Sequence, residues 1–431
     1  MIATLRQRNF ALLWLATLIS RAGDWVLSVG LPIYVFLLTH SVLATSIMVL
    51  AGQAPGILLG SVAGIFVDRW SRQRTLVVVS ALLAAGLVPL LLVRSADRVW
   101  IMYVVAAVES CLEQFQLPAQ NALLPALVTD ERLASANSLL STGGYVARLA
   151  GPAIGGFVAA IYGLPGIVLA DAASFLLAGA LIALVSGVRS QATARVESAL
   201  TNVAAPSRLG RTRRDWVEGL RVIASSRTLA VLLLAFAFTA LGEGVFAVLY
   251  PVFVNRVLHG GALQIGELMS AQAVGGLIGT LLIGWIGSRV TSRWAIGLCG
   301  VAFGLIDLAI FNSPAVYPAF WLTVALFAAV GVPGIAALTG EQTLLQQTSP
   351  DAYRGRVFGA LGTLMALFGV VGILLAGTLT DHLGVVTVLN IQGGGYVLAG
   401  VLLLLLLPRR QHRSPQPSAP LRDREVVPSE A

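Results

Sequence analysis

Twelve apolar stretches constrain this chain more than any other feature of it. They run over 10–38, 42–67, 75–93, 99–117, 136–162, 165–187, 229–254, 262–287, 294–311, 316–339, 357–380 and 385–407. A helical span needs about 20 predominantly apolar residues to cover the hydrocarbon core, and helices satisfy every backbone group there without water. Composition agrees: 57% of the 431 residues are hydrophobic and 11% are charged, against about 25% charged in a soluble domain. The expected fold is an all-α integral membrane protein with twelve transmembrane helices. Its first stretch lacks the short apolar core and small-residue cleavage site of a removed leader, so it reads as a retained first helix with the chain starting at Met1.

Charge placement gives the orientation. All 28 basic residues are arginine. With both ends on one side, 23 of them fall on that side, three (Arg94, Arg98, Arg256) on the other, and two (Arg21, Arg148) within spans. The positive-inside rule then puts both termini in the cytoplasm and accounts for the net charge of +8 without nucleic acid. Lysine is absent, which removes the phosphate-binding lysine of an ATPase loop. Cys111 and Cys299 fall in spans of different halves and read as packing thiols rather than a disulfide or zinc site.

Residues 188–228 are rich in Arg, Ser and Ala, the composition of a linker. They divide a bundle of six spans (1–187) from a second (229–407), with a polar tail at 408–431 expected to be disordered. An offset of 219 lays "GDWVLSVGLPIYVFLLTH" over "GEGVFAVLYPVFVNRVLH", matching Gly23 with Gly242, Pro32 with Pro251 and His40 with His259, and putting Asp24 on Glu243. Positions 23–60 hold eleven identities in 38, a repeat that points to two pseudo-symmetric six-helix halves. Halves related by an axis along the membrane normal are a transporter plan, with the substrate site between them near the midplane.

Two motifs sharpen this. "GIFVDRWSRQR" follows the second span, and the glycines at 52, 56, 60 and 64 leading to it form a ridge on which another helix can pack closely. It resembles the gating signature of the major facilitator superfamily, with Gly64, Asp68, Arg69 and Arg72 in register; Ser71 and Gln73 depart from the pattern. The resemblance implies that Asp68 meets the start of the eleventh span, where Ser349 is the expected N-cap and Pro350 the expected first helical residue. In the fifth span, "ARLAGPAIGG" is similar to the antiporter motif of that superfamily through Gly151, Pro152, Gly155 and Gly156, which implies export rather than import. As plain structure the same stretch is a proline kink with close-packing glycines. Residues 5 to 407 resemble the drug/proton antiporter branch that includes macrolide efflux proteins and the enterobactin exporter.

Acids at membrane depth are functional hypotheses by default. Glu243 has no basic residue within four positions, making it the first candidate for proton coupling, followed by Asp24. Arg21 is three residues from Asp24 on one helix face, so mutual neutralisation is the competing reading. Glu109 and Glu113 lie one turn apart; they could share a proton or attract a cation, or be neutralised by Arg148. Asp171 and Asp307 are expected as partners of polar groups on neighbouring helices. Arg148 and the aromatics Trp25, Phe115, Phe246 and Tyr250 are candidates for the substrate cavity. The stretch 213–227 places Trp216, Leu220 and Ile223 on one face, as an interfacial helix on lipid would.

The expected protein is a bacterial-type inner-membrane exporter of amphipathic drug- or siderophore-like molecules in exchange for protons, working as a monomer among membrane lipids, with no cofactor, metal or nucleic acid. One charge crossing 100 mV supplies about 2.3 kcal/mol, roughly a fifty-fold gradient of a neutral solute. A nutrient or lipid importer and a non-transporting sensor are the rivals. An enzyme is disfavoured because the chain carries no G-x-S-x-G elbow, H-E-x-x-H or His/Cys metal set.

Overall fold

The computed structural model describes residues 2–67, 70–186, 208–287, 292–350 and 353–408, and the described chain is helical with no strand. After a short turn of helix at Ile2–Leu5 come α1 (Arg8–Thr39), α2 (Val42–Val67), α3 (Arg72–Leu87) and α4 (Val99–Leu123). The continuous run Leu133–Ala183 is broken at Gly163, whose φ of 66° lies in the left-handed region, so it forms α5 (133–162) and α6 (164–183). Then follow α7 (Arg208–Ser225), α8 (Arg227–Arg256), α9 (Ala262–Ile286), α10 (Arg293–Val316), α11 (Phe320–Thr348), α12 (Arg354–Leu383) and α13 (Val385–Leu406).

Among the described residues, nine helices are long and apolar enough to cross a membrane, with Leu133–Ala183 counted once. Helix α4 is not among them; Glu109, Glu113, Gln114, Gln116, Gln120 and Asn121 reduce its hydropathy. Large side chains such as Leu281, Trp285, Leu169 and Leu405 face outward, as they would toward lipid rather than water.

The helix pairings repeat. Before the linker, α2 packs on α4, α3 on α4, and α1 and α3 on the α5–α6 run; after it, α9 packs on α11, α10 on α11 and α13, and α8 on α12 and α13. Contacts between the two groups concentrate in two pairs, α5 with α9 and α2 with α12. Both are glycine contacts at the end of the bundle that carries His40 and His259. A Cβ at Gly156 would overlap the Gly266 backbone, and one at Gly377 would overlap Ser46. The two histidines are the only described non-glycine residues with positive φ, 51° and 53°, so the repeat-matched positions share one backbone conformation as well as one residue type. His40 is the left-handed C-cap of α1, its N–H reaching the Phe36 carbonyl.

Three local expectations are corrected. Ser349 is the C-cap of α11, its hydroxyl donating to the Leu345 carbonyl at 2.7 Å, and α12 begins only at Arg354 behind Tyr353; Pro350 therefore belongs to the connection. The expected tenth span from 316 starts instead at Phe320, because α10 continues through Pro314 to Val316. Within the linker, α7 turns Ile223, Trp216 and Leu220 onto a core shared with α8, α12 and α13. That apolar face therefore covers protein rather than lipid. Glu218 joins it to α12 through Arg356 at 2.6 Å.

Candidate functional site: a chamber between the bundles and a buried acid cluster

Arg148 of α5 places its guanidinium 5.8 Å from the ring centroid of Trp25 on α1, a cation–π distance. It is also near enough to Glu243 of α8 to act on it electrostatically. Arg148 and Glu243 are exposed and Trp25 is half-buried, although all three sit well inside their helices. Left accessible at mid-helix, where helices from before and after the linker come within electrostatic reach, these groups mark a candidate chamber. Phe246 completes the wall one turn from Glu243 and stacks on Tyr250 with centroids 4.9 Å apart.

The Tyr250 side chain itself is in the core. It is 3% exposed, its hydroxyl donates to the Ile265 carbonyl at 2.6 Å, and its ring packs on Phe327. Phe115, half-buried, stacks on Trp70 with centroids 6.2 Å apart and packs against two cores of the first bundle. Arg148 does not neutralise Glu109 and Glu113, since its partners are Trp25 and Glu243. Among the described residues Arg21 and Asp24 form no ion pair, and Asp24 Oδ1 is buried without a hydrogen-bond partner; Arg21 reaches instead toward Gly144.

Asp24 belongs to a cluster. Glu113 and Asp171 act on it directly, and Glu109 interacts with Asp171, Glu113 and Asp24. Four carboxyl groups from α1, α4 and α6 thus share the interior of the first bundle. Gly23 makes room for them, because a Cβ there would collide with Asp171 and Ser174. Asp171 is fully buried and accepts from Ser174 at 3.1 Å. Its place in the cluster was missed in the sequence; the available signal was the offset of 219, which sets Asp171 over the equally polar Asn390. The second bundle answers with a lighter network. Glu243 acts on Asp307, the Gln392 amide donates to Asp307 at 3.2 Å and to Tyr396 at 3.3 Å, and Gly242 lets Tyr396 approach α8.

The expected antiporter motif divides its glycines between two partners. Gly151 and Gly155 admit Trp25 and Val26 of α1, whereas Gly156 admits Gly266 of α9. One stretch therefore fixes the chamber wall and the seam between the bundles. At the same end Arg256 donates to the His40 carbonyl at 2.9 Å and lies 5.2 Å over Phe36, a link absent from the sequence expectations. Of the gating motif, Gly64 lies in α2 and Arg72 opens α3, half-buried, while Asp68 and Arg69 lie outside the described residues. Gln73, where the pattern has a basic residue, donates to the carbonyls of Ile182 and Val185 at 2.9 and 2.8 Å and closes the end of α6. No group of three or more metal-ligating side chains converges among the described residues.

Long apolar helices with repeated packing and acids at mid-span are the plan of a membrane transporter of the major facilitator type. The family model for transmembrane secretion effectors matches residues 1–428, and the chain belongs to that family. It is 24% identical over 408 residues to macrolide efflux protein A of Streptococcus pyogenes, covering 92% of this chain and 94% of that protein. It is 29% identical over 389 residues to the multidrug efflux pump Tap of Mycobacterium tuberculosis, covering 86% and 87%. Among solved structures it resembles a bacterial homologue of the iron transporter ferroportin in its inward-facing state, with TM-score 0.72, 18% identity, and coverage of 92% and 98%.

Proposed function

We propose that this chain is a proton-coupled exporter of amphipathic organic molecules, built as twelve spans in two six-helix halves that rock about the chamber between them. Both termini are cytoplasmic in this reading, the domain limits are those of the sequence repeat, and one copy suffices. The observation that carries it is Arg148, stacked over Trp25, lying within electrostatic reach of Glu243 on the other set of helices, one turn from Phe246. A flat aromatic wall suits a lipophilic body, and an opposed charge pair can be opened by a charged cargo or by a proton. The relatives named for macrolide and multidrug efflux support the cargo class.

The gate is read from the contacts in place. Gly156 on Gly266, Gly377 on Ser46 and Arg256 on His40 hold the His40 end shut, so the chamber opens toward the arginine-rich end, the cytoplasmic one. Arg256→Ala removes a charged hydrogen bond and a cation–π contact, together about 2 kcal/mol where exposed. The expected result is a shift of tenfold or more toward the state open at the His40 end. Spin-label distances between positions 41 and 258 read it directly, and an unchanged distribution would remove Arg256 from the gate.

Inverted vesicles loaded with the full-length protein test the whole reading. With labelled erythromycin and a panel of fluorescent amphipathic drugs outside, an acid-inside pH step should drive accumulation that an uncoupler abolishes. Glu243→Gln should reduce that accumulation at least tenfold. Accumulation that ignores the pH step would refute proton coupling, and a wild-type response in Glu243→Gln would take Glu243 out of it.

A further inference from the structure

Inside the first bundle, away from the chamber, lies a cavity of about 130 Å³ lined by residues of α1, α3, α4 and α6. One end is marked by Leu13, Leu76, Gln120 and Ile182, each within two turns of the arginine-rich end of its helix. The other end is marked by Asp24 and Glu113, the near members of the acid cluster. Between them the wall is mostly polar, with Thr17, Ser20, Arg21, Ser80 and Gln116 beside Ala16 and Leu117. Resting on the proton-coupled reading above, we infer that this cavity is a hydrated proton route from the arginine-rich side to a proton-binding site at Asp24 and Glu113, separate from the path of the cargo.

Three independent observations carry this. Ser20 is 6% exposed, lines the cavity, and has no hydrogen-bond partner for its hydroxyl; a polar group so buried requires a partner, and water is the one that fits. The Gln116 amide nitrogen and Asp24 Oδ1 are unpartnered in the same way. The volume holds several waters, at about 30 Å³ each, in a passage that never crosses the seam. Finally, the acids at the inner end give a proton somewhere to bind. The groups facing Asp24 are Arg21 on its own helix, Glu109 and Glu113 from α4 and Asp171 from α6, with Arg148 of α5 drawn to Trp25 and only Ser80 from α3. Four acids stand against one arginine within the cluster. A metal ion would need three ligands to converge, and among the described residues none do. A hydrogen ion needs a single oxygen and a chain of waters.

The separation has a mechanical use. A carrier whose proton enters through the chamber must empty the chamber first, whereas here the acid cluster can be loaded while the cargo is bound.

Infrared spectroscopy of the full-length protein in liposomes tests this without any cargo. A carboxylic C=O band that titrates with pH should lose components in Asp24→Asn and in Glu113→Gln. After a switch to D₂O that band should shift rapidly in wild type and at least tenfold more slowly in Thr17→Leu, which fills the cavity. Gln116→Leu, which removes the amide from the wall, should slow it likewise and answers the question if Thr17→Leu does not fold. A band indifferent to both acid substitutions would overturn the binding site. Exchange at the wild-type rate in Gln116→Leu would overturn the route. Either failure leaves the efflux reading standing, and vesicles that ignore a pH step would leave this spectroscopic result untouched.

Discussion

Replacing Gly156 by leucine is expected to reduce transport at least tenfold while the protein still inserts and accumulates. The Cβ alone would overlap the Gly266 backbone, and neither helix can yield locally: Gly155 on the same turn is pressed against the Val26 backbone, and packed helices resist added volume at about 1–3 kcal/mol. Separation of α5 from α9 at the His40 end is the remaining outcome. A state that requires that contact is then lost from the cycle. Gly284→Ala and Gly359→Ala are the matched controls, since nothing lies within 4 Å of a Cβ at either position, and both should transport as wild type. Drug efflux from cells, normalised to protein level, distinguishes the cases. A fully active Gly156→Leu would mean that the seam does not close here.

The second large effect concerns charge. Arg148→Glu should abolish transport, because it sets two acids against each other at Glu243 and removes the cation from the Trp25 face. Glu243→Arg should do the same by opposing two arginines. Combining them restores an attractive pair in reverse order, and the double variant should recover at least tenfold over either single one, about 1.4 kcal/mol of coupling. Binding of a fluorescent amphipathic cation to the purified protein gives a readout independent of turnover. If the double variant is no better than the singles, the two residues act separately.

The fold was largely legible because its signals are local and repeated. Apolar runs located the helices, and His40 and His259, matched by the repeat, turn out to share one left-handed backbone conformation. The places where the sequence misled are those where a residue has two possible roles separated only by tertiary packing. Ser349 followed by Pro350 reads as a helix start, yet the hydroxyl caps the preceding helix. Trp216, Leu220 and Ile223 form an apolar stripe whether the surface they cover is lipid or protein.

The site was legible by residue type more than by partnership. Arg148 stacks over Trp25 and acts on Glu243, but Arg148 is 95 positions from Glu243 and nothing in either local stretch ties them. Tyr250 shows the opposite error. An aromatic on the right helix is as well suited to a core as to a cavity, and its rotation about the helix is fixed by neighbours such as Ile265.

The joint at Gly163 leaves α5 and α6 without slack. With one left-handed glycine as the whole connection, a tilt of α5 that releases Gly156 from Gly266 must drag the head of α6 with it. Asp171 rides on that helix two turns further along, pressed against Gly23. A stiff elbow of this kind would turn swivelling at the His40 end into displacement among the first-bundle carboxylates, with no flexible tether to absorb the stroke.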